Sequence, residues 1–356
     1  MSATRRKAPR NVKGAYGQAE FNVHCRVNPS LQALAPIPKK SKGRKPTTTD
    51  KSLQQAIALG QTQVQWVLAH RAQVAALRHD VVKGKLRSRP GSQPKRAKDA
   101  PLAAHSRGVL VAEGDSWFDY PFHDVLKELD DRCGWDIEQV AHAGDTVESM
   151  AYSGGQLDDF VRAIERVVRR GQRPHAILLS GGGNDVAGEW FGMLLNHRNS
   201  PVAGLNAGVV SGVLEQRTRT AYATILSRVT AACERMLGAR VPILLHGYDY
   251  PVPDGRGLLG GWGPLPGPWL EPGFRQKGFD ALPERIAIAG QLIDHFYAML
   301  QSIVTDTSFR HAQVVDLRGV LSTQLANDRY QDWWGNELHP TERGFAKVAR
   351  RFDSYL

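Results

Sequence analysis

The feature that most restricts the fold is an alternation of short apolar runs with amphipathic segments from residue 108 onward. Five runs have the composition of buried strands: 108–112, 136–141, 175–179, 241–245 and 312–317. Helical patterns lie between and after them: 122–131, 155–170, 204–237, 281–303 and 341–353. Buried strands that alternate with helices are typical of a parallel sheet covered on both faces. The sequence therefore predicts an α/β domain whose ligands bind beyond the carboxyl ends of the strands.

One segment of this domain lacks any such pattern. Residues 247–278 contain nine Gly and six Pro, together with several aromatic residues. A long stretch without regular structure inside a compact domain is usually a functional loop. We expect either a surface insertion packed by its own aromatic side chains or a lid that lines the substrate site.

The charge distribution separates this domain from an N-terminal arm. The net charge of the chain is +11, but residues 1–107 carry 22 Lys/Arg and only four acidic residues, whereas residues 108–356 carry a net charge of −7. Within the arm, apolar residues recur at helical spacing over 51–83, and basic, Pro- and Gly-containing segments flank them. The sequence predicts a basic arm over 1–107, with a mobile tail, one or two helices and a linker, followed by an acidic domain over 108–356.

Cysteine usage and hydropathy bear on the cellular compartment. The three cysteines are scattered, which fits a reducing environment better than a disulfide framework. No run approaches the roughly 20 apolar residues of a membrane span, and no apolar segment follows the basic N-terminus as in a signal peptide. The sequence predicts a cytoplasmic protein without a transmembrane segment, and delivery by a specialised export route stays open.

Residues suited to chemistry follow three of the predicted strands. Gly114-Asp115-Ser116 comes after the first strand, Gly144 after the second, and Gly182-Gly183-Asn184-Asp185 after the third. A hydroxyl, a bare backbone and a side-chain amide would thus meet at one edge of the sheet. A histidine, His339, precedes the last helix. Each of these segments alone would be weak evidence.

Taken in order, these segments resemble the four blocks of the SGNH hydrolase superfamily, also called the GDSL esterase/lipase family. The resemblance covers residues 108 to 356, roughly 250 residues, and leaves the arm outside. It implies a three-layer α/β/α, flavodoxin-like fold with a five-stranded parallel sheet. It also implies ester hydrolysis through an acyl-enzyme, without a metal or an organic cofactor. No metal-ligand spacing such as H-x-x-H appears in the sequence, which agrees with this implication.

The resemblance assigns roles to individual residues. Ser116 would be the nucleophile, and His339 would accept its proton and later return it to the leaving alcohol. The backbone N–H groups of Ser116 and Gly144 and the side chain of Asn184 would form the oxyanion hole.

At one position the chain departs from the family pattern. The family usually has Asp three residues before the His, and here that residue is Asn336. The third member of a triad accepts the Nδ1–H of the histidine and fixes its tautomer. Asn336 could do so through its carbonyl oxygen. Asp332 could instead reach in from the preceding loop, and Glu337 or a backbone carbonyl are further alternatives.

Other residues near these blocks are candidates for lining the substrate site. They are aromatic or imidazole side chains close to the predicted strand ends, in the loop 247–278 or beside His339: Trp117, His246, Tyr248, Trp262 and Trp334. Packing in the core is the competing interpretation for each of them.

The sequence leaves two functions open. The first is a serine ester hydrolase, whose substrate could be a lipid, an acetylated glycan or a small ester. The second is a binding or delivered effector protein that uses the hydrolase fold as a scaffold, in which the arm over 1–107 contacts anionic lipid, nucleic acid or a protein partner. Substitution of the family Asp by Asn336 favours the second function, and retention of the other blocks favours the first.

Overall fold

The structure, a computed structural model, describes residues 106–258 and 266–356. The predictions for the arm over 1–105, including the helix over 51–83, and the prediction for Trp262 lie outside the described residues. The centre of the described part is a parallel sheet of five strands: β1 (Val109–Glu113), β2 (Asp136–Gln139), β3 (Pro174–Leu179), β4 (Ile243–His246) and β5 (Ala312–Val315). The strand order is β2-β1-β3-β4-β5, the order of flavodoxin-like sheets.

Helices cover both faces of this sheet. They are α1 (Val125–Cys133), α2 (Val147–Tyr152), α3 (Gln156–Arg169), α4 (Gly183–Val186), α5 (Ala207–Ser211), α6 (Arg219–Leu237), α7 (Glu271–Gln276), α8 (Leu282–Val304) and α9 (Glu342–Asp353). Helices α1 and α9 pack against each other, while α6 packs against α2, α3 and α8. The expected three-layer α/β/α fold with a five-stranded parallel sheet is confirmed.

The five predicted strands are all present, and no end differs from the prediction by more than two residues. Strand β1 is buried along its whole length, because it lies between β2 and β3 and helices cover it. This double burial explains why its sequence is a continuous apolar run rather than an alternating one.

Helix boundaries differ from the prediction where capping decides them. The first helix begins at Val125 and not at residue 122, because the side chain of Asp124 accepts a hydrogen bond from the N–H of Lys127. The long helical segment predicted over 204–237 begins at Ala207 and contains π-helical turns over Gly212–Thr218. Helices α2 and α4 were not predicted, since six and four residues are too short to show a period.

The Gly- and Pro-rich segment 247–278 is only partly irregular. Its last part forms helix α7, which the composition did not predict. Pro272 stands in the first turn of this helix, where a missing N–H costs nothing.

In the part of the chain that the structure describes, no helix combines the length and the apolar character that a membrane crossing requires.

Candidate active site

The turn that follows β1 presents the side chain of Ser116 at the carboxyl edge of the sheet. Gly114 makes this turn possible, since a Cβ there would lie 2.7 Å from the Cβ of Ser180 and 2.9 Å from its carbonyl oxygen. The side chain of Asp115 accepts a hydrogen bond from the N–H of Trp117 and thereby closes the turn. Ser116 is half-buried and lines a cavity.

Three side chains from opposite ends of the domain meet at this point. Nε2 of His339 lies 2.7 Å from Oγ of Ser116, and Nδ1 of His339 lies 3.0 Å from Oδ1 of Asn336. The indole N–H of Trp117 also donates to the carbonyl of Leu338, so the nucleophile turn and the histidine segment are joined by a second bond. The structure therefore brings together the residues that the sequence nominated as nucleophile, base and orienting group.

The neighbours of Asn336 determine which way its amide points. Oδ1 faces the backbone N–H groups of Leu338 and His339, at 3.0 and 2.9 Å, and Nδ2 donates to the hydroxyl of Tyr120 at 2.9 Å. A backbone N–H can only donate, so the atom that faces both of them is the oxygen. The same oxygen accepts the Nδ1–H of His339, which leaves Nε2 free to accept a proton from Ser116.

The environment of His339 keeps its imidazole neutral. Burial lowers the pKa of His339 to about 3, because the protonated ring would lose its hydration. The ring of Tyr120 stacks on it with centroids 4.2 Å apart, and Trp269 contacts it edge-on. Burial also raises the pKa of Tyr120 to about 12, so that hydroxyl stays protonated.

The two other candidates for the orienting group have different places. Asp332 is exposed, and its backbone carbonyl accepts from the hydroxyl of Thr341. Glu337 is buried, and its carboxylate accepts four backbone N–H groups, those of Gly255, Trp269, Leu270 and Glu271, at 2.6 to 3.0 Å. The carboxylate of Glu337 thus holds Gly255 and the segment 269–271 against the histidine segment rather than contacting His339.

The groups predicted to form the oxyanion hole each keep an N–H without a partner among the described residues. In residues 106–258 and 266–356, no hydrogen bond uses the N–H of Ser116 or of Gly144. Gly144 has a φ of 93°, a conformation that L side chains rarely adopt. One N–H of the Asn184 amide donates to the carbonyl of Asp145 at 2.9 Å, which fixes the amide while its second N–H remains available.

A second group of polar side chains lies buried next to the turn of Ser116. The hydroxyl of Ser180 donates to Oδ1 of Asp115 at 2.7 Å, and Nε2 of His246 lies 2.7 Å from the same hydroxyl. Nδ1 of His246 accepts the N–H of Tyr248, so Nε2 carries the ring proton and donates it to Ser180. The hydroxyl of Tyr248 donates to the other oxygen of Asp115.

This group contains Ser, His and Asp, but its contacts run in a different order from those of a triad. The aspartate binds the serine and not the histidine, and the histidine donates to the serine instead of accepting from it. All three side chains are almost fully buried, and burial lowers the pKa of His246 to about 3. We interpret the group as a structural network that supports the turn of Ser116.

The network also reaches the glycine-rich loop after β3. The hydroxyl of Tyr248 accepts the N–H of Gly183 at 2.9 Å while it donates to Asp115. The backbone of Tyr248 has a φ of 65°, an uncommon value for an aromatic residue. One tyrosine therefore links the turn of Ser116 to the loop that carries Asn184.

A buried carboxyl group, Glu113, lies directly before the nucleophile turn. Its Oε1 accepts the N–H of Gly114 at 2.9 Å, and the Gln156 amide donates to the same oxygen at 3.3 Å. Its Oε2 has no hydrogen-bond partner in the described residues. Burial raises the pKa of Glu113 to about 9, so the group is neutral at ordinary pH.

Only some of the predicted substrate-lining residues line the cavity beside Ser116. Trp117, Tyr248 and Trp334 line the cavity beside Ser116, although each is buried. His246 does not line it, since its ring is enclosed by Ser180, Trp117, Phe118 and Tyr248 within the core. The interpretation of His246 as a substrate contact is therefore wrong, and packing in the core is the correct one.

Sequence reasoning missed the roles of Tyr120 and Ser180. Tyr120 lies 216 residues from Asn336 in the chain, and no local pattern connects them. For Ser180 a signal was present. Strand register pairs Glu113 with Leu179 and Leu179 with Leu245, so the next residues along these strands, Gly114, Ser180 and His246, are neighbours.

Of three comparisons with known proteins, the one with solved structures found similar proteins. No model of a protein family matches the chain, and no curated protein matches it. An acetylxylan esterase from Geobacillus stearothermophilus is similar at 15% identity and a TM-score of 0.37, over 69% of this chain and 93% of that chain. A GDSL-like lipase from Bacteroides thetaiotaomicron is similar at 12% identity and a TM-score of 0.33, over 70% and 87%. An alpha/beta hydrolase from the metagenome of Lake Arreo, Spain, is similar at 16% identity and a TM-score of 0.34, over 70% and 94%.

Identities and TM-scores this low carry no argument about the activity of this chain. The fold follows from the chain's own sheet. The described residues have a three-layer α/β/α architecture, and the segments of Ser116, Gly144 and Asn184 follow β1, β2 and β3 of a sheet ordered β2-β1-β3-β4-β5.

Proposed function

We propose that this protein is a serine carboxylic ester hydrolase that works through an acyl-enzyme on Ser116. The observation that carries the proposal is the contact chain from Oγ of Ser116 through the imidazole of His339 to Oδ1 of Asn336. The half-buried Ser116 hydroxyl faces a cavity, as a nucleophile must, whereas the hydroxyl of Ser180 is fully buried.

In the first half of the reaction, Oγ of Ser116 attacks the ester carbonyl while Nε2 of His339 takes its proton. The carbonyl oxygen becomes an oxyanion, which the N–H groups of Ser116 and Gly144 and the Asn184 amide stabilise. One such donor is worth about 2.7–4 kcal/mol of the barrier in other hydrolases. His339 then gives the proton to the alkoxide oxygen of the leaving alcohol, and the acyl group stays on Ser116.

In the second half, water replaces the alcohol. His339 takes a proton from the water as its oxygen attacks the acyl carbonyl, and the same proton returns to Oγ of Ser116 when the carboxylic acid leaves. Asn336 keeps the imidazole in the required tautomer throughout, but it carries no charge to stabilise the imidazolium. Every step uses only side chains and backbone groups of this chain.

The test combines turnover with the location of a covalent label. We expect the wild-type protein to hydrolyse p-nitrophenyl butyrate, and Ser116→Ala and His339→Ala to lose at least a thousandfold in kcat. Ser153→Ala is the matched control, because Ser153 is exposed and distant from His339 in the chain. A fluorophosphonate probe should modify the peptide that contains Ser116. A label on the peptide that contains Ser180, or full turnover by Ser116→Ala, would overturn the assignment.

A further inference from the structure

The side chains that line the cavity beside Ser116 are mostly apolar. Four of its lining residues come from one face of helix α8: Ala289, Leu292, Ile293 and Phe296. Their spacing of three and four residues aligns them along the helix axis.

Other segments add apolar lining. Phe191 and Leu214 line the cavity, as do Val186 and Ala187, which follow the loop that carries Asn184. A chain that starts at Ser116 and enters the cavity therefore contacts hydrocarbon from α8 and from these segments.

Apart from Ser116, Asn184 and His339, few polar side chains line the cavity. The indole N–H of Trp334 has no hydrogen-bond partner in the described residues. Among the described residues that line the cavity, the carboxylates are those of Asp115 and Asp249. Asp115 is bound by Ser180 and Tyr248, and Asp249 accepts the backbone N–H groups of Tyr250, Gly319 and Leu321. A sugar ring placed here would leave most of its hydroxyl groups without partners, which is unfavourable in a buried site.

The position of His339 indicates which part of an ester the cavity holds. The leaving alcohol must lie against Nε2 of His339 to receive its proton. The rings that contact His339 on its other sides, Tyr120 and Trp269, do not line the cavity, and both are partly exposed. The alcohol side of the ester thus lies towards the half-exposed rings, and the apolar walls remain for the acyl side.

We propose that this cavity is an acyl-chain site and that the enzyme prefers esters of medium-chain carboxylic acids over acetyl esters. The proposal rests on the ester hydrolase function and names its substrate class. The lined face of α8 from Ala289 to Phe296 spans about 10 Å, enough for an extended chain of roughly eight carbons with bonds of about 1.5 Å. Each buried methylene contributes about 0.8 kcal/mol, which corresponds to up to about a fourfold gain in kcat/KM.

The experiment is a chain-length series with one leaving group. For p-nitrophenyl acetate, butyrate, hexanoate and octanoate, we expect kcat/KM of the wild-type protein to rise more than tenfold from acetate to octanoate. Ala289→Leu places a larger side chain in the cavity, and we expect the ratio of kcat/KM for octanoate to kcat/KM for acetate to fall at least tenfold. Ala187→Leu narrows the cavity from another segment and should lower the same ratio if Ala289→Leu does not fold.

Ala287→Leu is the matched control, since Ala287 is exposed on the same helix, two residues from Ala289. Its ratio should equal that of the wild type. Acetate as the best wild-type substrate, or an unchanged ratio in folded Ala289→Leu and Ala187→Leu, would overturn the acyl-chain site.

A fluorophosphonate probe with a short ethyl group separates the two levels of the proposal. Labelling of Ser116 together with a preference for acetate would leave the hydrolase function standing and remove only the acyl-chain site. Absence of both labelling and turnover of every ester would overturn the hydrolase function and the acyl-chain site with it.

Discussion

The substitution Asn336→Asp tests how a buried imidazole works beside a neutral partner. The site can accept the change without rearrangement. Oδ1 of the new carboxylate keeps its three donors, the N–H groups of Leu338 and His339 and the Nδ1–H of His339. On the other side, Tyr120 can rotate its hydroxyl and donate to Oδ2 at the present distance of 2.9 Å.

The expected effect follows from the charge that the change adds. Burial lowers the pKa of His339 to about 3 in the wild type. A carboxylate within hydrogen-bond distance raises the pKa of a histidine by about one to three units, because it stabilises the imidazolium. The pKa of His339 in Asn336→Asp should then lie at roughly 4–6. If half of a two-unit shift is expressed in the transition state, kcat at neutral pH rises about tenfold.

The assay is the pH dependence of kcat/KM between pH 3.5 and 9 with p-nitrophenyl butyrate. Only neutral His339 can accept the proton of Ser116, so activity is lost as pH falls through the pKa of His339. We expect the acid limb of the wild type to lie well below the usual histidine range and that of Asn336→Asp to lie one to three units higher. Asn199→Asp is the control, because Asn199 is exposed and its side chain makes no contact with His339. Circular dichroism at each pH verifies that the protein stays folded.

Two results would refute this reasoning. An acid limb that does not move would mean that the group at 336 does not act on the protonation of His339. A limb that moves while the plateau of Asn336→Asp falls below that of the wild type would mean that imidazolium stabilisation does not limit the rate.

Three further substitutions test the supporting contacts. Folded Glu113 has a pKa of about 9 against 4.5 for the unfolded chain, so its contribution to stability is complete below about pH 4.5 and is lost as pH rises towards 9, by about 1.4 kcal/mol per unit. Urea titrations should show Glu113→Gln gaining stability relative to the wild type between pH 5 and 8, and parallel pH curves would contradict this. Tyr248→Phe removes the hydroxyl that donates to Asp115 and accepts the N–H of Gly183. We expect the free energy of unfolding, measured in urea, to fall by about 1–3 kcal/mol, and kcat to fall with KM little changed. An unaltered kcat would show that the hydroxyl of Tyr248 does not affect catalysis. Glu337→Gln removes the charge that four backbone N–H groups share, which should lower the free energy of unfolding by about 1.5–3 kcal/mol; the same loss in exposed Glu342→Gln would argue against a specific effect.

The sheet could be predicted from the sequence because its strands are buried on both faces. A strand such as β1 must be apolar at every position, and such a run is visible without knowledge of its neighbours. The ends of α1 and the beginning of α5 were harder to predict, because a capping side chain such as Asp124 determines where a helix begins. Helix α7 was not predicted, because it lies in a segment whose Gly and Pro content favours loops.

The site could be predicted in part for the same kind of reason. Ser116 and Asn184 directly follow buried strands, so their place at the carboxyl edge follows from the sheet. The orientation of Asn336 could not be predicted, because it depends on how the loop before His339 directs the backbone N–H groups of Leu338 and His339. The family resemblance suggested a carboxylate at that position, and only the polarity of the surrounding donors shows how an amide can serve there.

The separation between nucleophile and base has a consequence for biosynthesis. Ser116 and His339 lie 223 residues apart, and the strands and helices between them complete the sheet that brings them into contact. At a synthesis rate of about 5–20 residues per second, roughly 10–45 seconds pass between the two residues leaving the ribosome. In the proposed mechanism, the hydroxyl of Ser116 has no base during that interval, so a chain that lacks His339 is expected to be inactive. Esterase activity would then require that the chain has been synthesised and folded through the segment of His339.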